Sequence, residues 1–506
     1  MIERRPEAVS GREFDLAIVG GGIYGATLAL ESARRGLRPV LVERADFGGA
    51  TSWNSLRIVH GGLRYLQTLD LRRFHQSVDE RAWWMQCFPE LVRPLACLMP
   101  LYGRGLRRPA IFRAALALND LLGRPSSSRL PDAHRLPPGR ILSAEQTIER
   151  FPAVEREGLV GGALWYDASM PDSPRLIVEV LRWAATAGAE VLNYTEARRL
   201  IVESGRVVGL AAHDLESDLD VGVTTPLVVN AAGPWCRRVA ACFDRDHPSL
   251  FEPSVAFNLL LDLEPLSECA LAVSPPSAPT YFLHPWKGRT LAGTVHSPVS
   301  DPPHRVSPPS QHAITSFLEQ LNRAIPEIGL GPAHVLRVHW GLLPAREEGT
   351  ATLATRPVIL DHARSLGPRG LWSVSGVKFT TARAVAEATL HRIFAAGGGS
   401  LPNADTAAPP AATSWPSRER IEALLESDQA AARTLIERMM VEEAAPHLDD
   451  VLLRRTDWAA DPADAERLAD RLARALGWDE NRMQREVART GAHDPATAFE
   501  PKEGPA

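Results

Sequence analysis

Apolar residues follow two different rhythms before residue 400 and a third beyond it. Phe14–Val19 and Val40–Glu43 are short continuous apolar runs, the pattern of parallel strands buried on both faces, and a helical stretch, Tyr24–Arg35, separates them. Pro226–Ala231 (PLVVNA) repeats the buried-strand signature. Strands alternating with helices predict an α/β fold built on a doubly wound, Rossmann-type sheet. Residues 255–345 read differently. Short strand-like runs there, such as Thr280–His284 and Thr290–Gly293, are cut by turns, which predicts a mostly antiparallel sheet inserted into the first fold. The stretch 401–417 (LPNADTAAPPAATSWPS) is rich in proline and small residues that bury little, and it reads as a linker. Charged, Ala/Leu-rich segments follow at Arg418–Val441, Asp464–Leu476 and Asn481–Thr490. These shifts divide the chain into a discontinuous first domain (12–250 and 345–400), an inserted sheet (251–344), the linker, and a small C-terminal helical domain (418–506).

Composition narrows the class. The chain has 506 residues, 45% hydrophobic and 23% charged, as ordinary globular proteins do, which excludes disorder, collagen and disulfide-stapled miniproteins. A formal net charge of −5 gives no global basic field, so nucleic acid is not an expected partner. Five cysteines, an odd count without a CxxC pair, predict a reduced cytoplasmic chain with no zinc site. The histidines between 284 and 340 lack metal spacing, so no metal is expected. The first residues, MIERRPEAVSGREFD, carry no apolar signal core, and no apolar run reaches the ~18 residues of a membrane span. Segment 106–122 (LRRPAIFRAALALNDLL) is basic at its start and amphipathic after it. A buried cap helix is the favoured reading there, with peripheral contact to an anionic membrane surface as the alternative. Trp83 and Trp84 read as core, and no residue pattern specifies an oligomeric state.

The strongest local signal is Asp15-LAIV-Gly20-Gly-Gly22-Ile-Tyr-Gly25. Gly20 permits the tight turn, Gly22 lets the backbone approach a diphosphate, and Gly25 lets helix and strand pack closely. Phosphates then meet amides at the positive end of a helix. Glu43 closes the second strand at the spacing of a carboxylate that binds ribose hydroxyls. The residues just after Glu43 separate FAD from NAD. The run Asp46–Leu66 is rich in glycine and hydroxyl residues, and suits a loop wrapping the middle of a longer cofactor, with Thr51, Ser52 and Ser55 as donors. Ala231 and Gly233 end a later strand with small residues, allowing close approach. Gly376, Lys378 and Thr380 lie in SGVKFTTAR, a glycine turn opening a helix whose positive end would stabilise charge on a reduced flavin.

The motifs GGGIYGA, ATSxxSxxxxHGGLRYL, NAAGPW and SGVKFTTAR, in this order, resemble those of the FAD-dependent, aerobic-type glycerol-3-phosphate dehydrogenases. LDDVLLRRTDW and LGWDENRMQRE resemble that family's helical C-terminal domain. The resemblance implies an FAD-binding domain, a substrate-binding sheet above the flavin, and hydride transfer from C2 of glycerol 3-phosphate to flavin N5. It also implies a quinone acceptor at the inner membrane face. By match to the family motifs, Arg64, Tyr65, Lys378 and Arg356 hold substrate, and His60 is the candidate base. Two positions depart from the family. Gly341-Leu-Leu343-Pro344 has leucine where the family carries a substrate arginine, and Gly293-Thr-Val-His296 has histidine where the family carries aspartate. Arg346, three residues on, is a possible substitute for the missing arginine. The departures keep two alternatives open: an FAD oxidase or dehydrogenase of another small alcohol or amine, or a flavin-binding protein with degraded turnover.

Overall fold

The structure is a computed structural model and describes residues 1–103, 105, 108–247, 250–275, 279–299, 308–347, 349–459 and 462–491. Leu106, Arg107, His304 and the last residues of the expected helical domain, 492–506, lie outside the described residues.

Six strands form the first sheet, in the order Val358–Asp361, Leu371–Ser375, Val228–Asn230, Leu16–Val19, Pro39–Val42, Glu190–Leu192. All neighbours run parallel except the edge pair 358–361 and 371–375. Both faces of this sheet are covered, and that explains the continuous apolar runs. Leu16, Ile18 and Leu41 pack into one core with the helices Ile23–Ala33, Ser173–Thr186 and Ala382–Ala396. Ala17, Val19, Val40 and Val42 pack the other way, against a three-stranded antiparallel meander, Thr195–Glu203, Arg206–Asp214 and Leu219–Thr224. Alternate residues of one strand thus serve two cores.

The second large sheet has nine strands. Val335–Pro344, Pro253–Leu261, Arg289–Pro298, Tyr281–Trp286 and Ala270–Val273 come from the region expected from sequence. It then continues through Arg93–Leu101, Gly161–Ser169 and Ile58–Val59, with Arg140–Leu142 also paired to 161–169. The second sheet is therefore not confined to 251–344, as the pattern suggested, but takes strands from within 12–250. Arg93–Leu101 escapes recognition because it holds Pro94 and Pro100, residues that break most central strands. Here they are tolerated, since pairing toward 270–273 involves Cys97 and Leu98, away from both prolines. Helix Gln311–Ala324 buries Ile314, Phe317, Leu318 and Leu321 on one face of this sheet. Helix Pro109–Ser127 packs Phe112 and Leu116 on the other, against Leu95, Cys97 and Trp165.

Residues 401–417 form neither helix nor strand. They run along the first domain, where Asp405 N–H donates to the Arg34 carbonyl and Thr413 N–H to the Glu179 carboxylate. Beyond them, Arg418–Ser427, Gln429–Glu442, Pro462–Leu476 and Glu480–Gly491 are helical, around a core that includes Ile421, Ile436, Met439, Leu468 and Leu472. Among the described residues no helix is long and apolar enough to cross a membrane.

Candidate functional site

The first strand ends in a turn that only glycines fit. Gly20 sits at φ +110°, and a Cβ there would lie 2.7 Å from the Ala231 carbonyl oxygen. A Cβ on Gly25 would lie 1.8 Å from the Gly20 oxygen. Helix Ile23–Ala33 starts from Gly22 in extended conformation, and Ser52 Oγ accepts from Ile23 N–H at 3.1 Å. Glu43 accepts from Gly21 N–H at 2.6 Å and Ala45 N–H at 2.8 Å. Burial nevertheless pushes its carboxyl above the ordinary value, the two amides opposing.

This turn opens onto a cavity of about 1170 Å³. Its lining includes Gly20, Gly22, Glu43, Thr51, Ser52, Ser55, Ala231, Gly233, Gly376 and Thr380, together with His60, Arg64, Tyr65 and Lys378. Gly25 lies behind the turn, in packing. Thr51 donates its hydroxyl to the Leu342 carbonyl (3.3 Å), and the Ser55 hydroxyl lies 3.4 Å from that of Ser173, so these two side chains also brace the loop. Residues of this kind fit a dinucleotide longer than NAD. A helix N-terminus, a glycine-lined backbone and a hydroxyl donor meet phosphate chemistry, and the volume exceeds what a small substrate needs.

The same cavity holds a second set of titratable groups. His60 Nδ1 lies 3.2 Å from the Asp167 carboxylate, and its ring lies 5.2 Å from that of Phe282. Asp167, on strand 161–169, also accepts from Gly61 N–H (2.7 Å) and Arg81 (2.8 Å). Burial alone would raise its carboxyl, but His60, Arg81 and the Gly61 amide hold it down at about 2. An ionised carboxylate only accepts, so Nδ1 of His60 carries the proton and Nε2 is left as the basic nitrogen. Arg64 stands on the one-turn helix Leu63–Leu66, which follows Gly62 at φ +87°. Lys378 Nζ lies 4.3 Å from the Tyr65 ring centroid. Its ammonium is crowded by protein although solvent reaches it through the cavity, and this burial, with Arg64 close by, lowers it to about 8. His296 also lines the cavity, and burial plus the Arg64 charge lower it to about 4, so it is neutral.

Some expected residues fall outside. Arg356 is exposed and not in the lining. Its neighbour Thr355 is held by Arg73, whose guanidinium lies 5.5 Å from the Tyr65 ring, so this backbone passes near the site while the Arg356 side chain stays out of it. Arg346 is 67% exposed beside Glu347 and does not replace the arginine that Leu343 lacks. Leu343 itself lines the cavity. The helix begins at Ala382, near the end of SGVKFTTAR and later than the glycine turn suggested, because residues 376–380 close over Tyr24. A Cβ on Gly376 would strike the Tyr24 ring at 1.8 Å. Tyr24 Oη donates to the Lys378 carbonyl (2.7 Å) and accepts from Lys378 N–H (3.0 Å). Tyr24 and Asp167 are residues of the candidate site that sequence reading missed. Tyr24 lies inside GGGIYGA, a position that could have drawn attention, whereas Asp167 carries no local signal. Trp84 donates to the Thr380 carbonyl at 2.9 Å from the core, as its core reading requires.

Helix 109–127 supplies an apolar wall: Ile111, Phe112, Ala115 and Leu118 line the cavity beside Met99, Trp165 and Phe282. Ile111, Leu118 and Leu121 remain largely exposed on it.

Residues 15–392 match the family described as FAD dependent oxidoreductase. The chain is 33% identical over 396 residues to glycerol-3-phosphate dehydrogenase 1 of Mycobacterium bovis, covering 76% of this chain and 73% of that protein. It is 29% identical over 394 residues to the mitochondrial glycerol-3-phosphate dehydrogenase of Mesocricetus auratus, covering 75% of this chain. The chain spans about half of such mitochondrial relatives, 52% of the hamster protein. Among solved structures, the glycerol-3-phosphate dehydrogenase from Bacillus halodurans complexed with FAD shares the fold, with a TM-score of 0.68 over 97% of both chains at 21% identity.

Proposed function

This chain belongs to the FAD dependent oxidoreductases and, within them, to the glycerol-3-phosphate dehydrogenase family, and we propose that it oxidises the secondary alcohol of sn-glycerol 3-phosphate, or a related polyol phosphate, to the ketone. The observation that carries this reading is one cavity lined both by the dinucleotide turn and by Arg64, Lys378 and the His60–Asp167 pair. Gly20, Gly22 and the N-terminus of helix 23–33 hold the diphosphate, and Glu43 the ribose. Bound there, FAD would supply the two-electron acceptor for the hydride that the alcohol gives up. His60 Nε2 takes the hydroxyl proton, while Asp167 keeps Nδ1 protonated and the ring oriented. Arg64 and Lys378 place positive charge around an anionic substrate, and Tyr65 holds the Lys378 ammonium against its ring face.

Electrons leave to a quinone in this reading. The apolar wall of helix 109–127 supports it, since a ring with an apolar tail can lie against Met99, Phe112 and Leu118. The exposed Ile111, Leu118 and Leu121 would let the same helix meet an inner membrane face.

A second reading, an unphosphorylated alcohol or amine as substrate, is favoured by Leu343, which leaves one charge-assisted donor fewer for a phosphate dianion, and by His296, which is neutral and offers no charge of its own. Anaerobic addition of glycerol 3-phosphate to the purified yellow protein decides between them. Bleaching of the flavin band, reversed by a soluble quinone, supports the first reading. An unchanged spectrum with glycerol 3-phosphate, and bleaching by another alcohol or amine, establishes the second.

A further inference from the structure

The residues that succeed Glu43 do more than line the cofactor cavity. Loop 44–49 rests on the glycine turn: Gly48 N–H donates to the Gly21 carbonyl at 3.0 Å, and the buried Phe47 ring lies 2.9 Å from where a Gly21 Cβ would stand. Asp46, Gly48 and Gly49 face the cavity. Asn193 Nδ2 donates to Asp46 Oδ1 at 2.8 Å and Tyr194 N–H to the Ala45 carbonyl at 3.0 Å, and the charged groups that hold the loop down come from the far end of the sequence. Arg455 makes a two-pronged pair with Asp46, Nη1 to Oδ2 at 2.6 Å and Nη2 to Oδ1 at 2.7 Å. Arg454 Nε reaches the same Oδ2 at 2.5 Å. The Arg455 guanidinium also lies 5.9 Å from the Phe47 ring. Asp46, Arg454 and Arg455 side chains are at most 2% exposed.

Both arginines are themselves anchored. They sit in a π-helical turn, Val451–Arg455. Arg454 pairs with Asp449 (2.6 Å) and Asp450 (2.5 Å). Arg455 donates to the carbonyls of Glu443 (3.0 Å) and Ala444 (3.1 Å). A bidentate, desolvated pair of this kind has one geometry, and it transmits position rather than mere proximity.

We infer that Arg454 and Arg455 are positioning residues for the cofactor: through Asp46 and Phe47 the C-terminal helical unit latches loop 44–49 against the glycine turn, and so sets how tightly FAD is retained. The inference rests on the FAD reading above. Neither arginine is in the cavity lining, so both act through Asp46. The latch restricts the loop that rests on the glycine turn and lines the cavity, so part of the ordering cost of binding would be met before FAD arrives.

The test uses the full chain. FAD is removed, and its dissociation constant on re-addition is measured by flavin fluorescence for the wild type, Arg455→Lys and Arg454→Lys, with thermal unfolding of each apoprotein alongside. Lysine keeps the charge but not the two-pronged geometry. His447→Gln serves as control, because His447 joins the same helical unit to Glu216 on the meander, away from loop 44–49. The latch predicts a dissociation constant raised about tenfold or more in Arg455→Lys, a factor readily measured. It predicts wild-type FAD affinity in His447→Gln at a comparable loss of apoprotein melting temperature. Wild-type affinity in Arg455→Lys overturns the latch, as does equal weakening in His447→Gln, which would mean general undocking. A wild-type chain that takes up no FAD sinks the cofactor reading itself, and the latch with it.

Discussion

Asp167→Asn tests the proposed chemistry at a residue that touches neither substrate nor cofactor in the reading above. The side chain is 5% exposed and gathers His60, Gly61, Arg81 and, at 3.4 Å, Trp165. Its folded value of about 2, against an ordinary 3.8, means the native state favours the ionised form. A depressed carboxylate contributes stability above the unfolded value and loses it as pH falls through the folded one. That contribution is worth roughly 2.5 kcal/mol at neutral pH, is intact above about pH 4 and fades toward pH 2. Asparagine removes it and leaves buried Arg81 without a counter-charge, so the total loss is about 3–5 kcal/mol. The kinetic effect is separate. The amide offers His60 Nδ1 a donor, the ring proton moves to Nε2, and that nitrogen ceases to be a base. Loss of general base catalysis slows flavin reduction about 10²–10⁴-fold. Anaerobic stopped-flow bleaching, with FAD content checked by absorbance, measures it. Reduction at the wild-type rate in the folded, FAD-loaded variant would refute the His60–Asp167 assignment.

Three further outcomes are expected. Lys378 titrates at about 8 in the free protein, so kcat/KM for an anionic substrate should fall above that pH, and Lys378→Arg, which stays charged, should abolish the break in the profile. A pH profile identical in both would remove Lys378 from substrate binding. Leu343→Arg restores the charge-assisted donor of the resembling family and should lower KM for glycerol 3-phosphate roughly tenfold or more with little change in kcat; steady-state kinetics showing an unchanged KM would mean the phosphate does not lie against that wall. Gly25→Ala places a Cβ 1.8 Å from the Gly20 oxygen and should yield colourless protein, and a variant with a full flavin spectrum would contradict the turn geometry.

How much of this was legible in sequence depended on distance along the chain. The glycine turn, its flanking strands and Glu43 lie within one short stretch, and their geometry follows from local sterics that specify residue type position by position. HGGLRYL and SGVKFTTAR could be placed by motif because groups that meet a ligand are constrained singly. Their supports were not legible. Asp167 stands 107 residues from His60, and Arg455 stands 409 from Asp46, so no local pattern pairs them. Strand 93–101 likewise hid its allegiance to the second sheet, since two prolines outweighed the apolar pattern until its pairing with 161–169 was known.

The two departures from the family motifs gain meaning only when taken together. His296 pairs across the strand with Ala256, which pairs on its other side with Gly341. Leu343 is two residues beyond Gly341 and therefore on the same face, so both departures flank the central strand Pro253–Leu261 from opposite sides. Where the resembling family has an arginine and an aspartate, this chain has leucine and a histidine held neutral by burial and by Arg64. One positive and one negative group are lost together, and the net charge of the pocket is preserved. A pocket that had ceased to bind anions would have no reason to balance the exchange, and Arg64 and Lys378 would be free to change as well. The substitutions instead exchange one positive and one negative group for neutral ones, while Arg64 and Lys378 remain in the cavity lining. The balanced exchange keeps an anionic substrate with one fewer directed donor as the favoured reading, and this is why Leu343→Arg is expected to tighten binding rather than to create it.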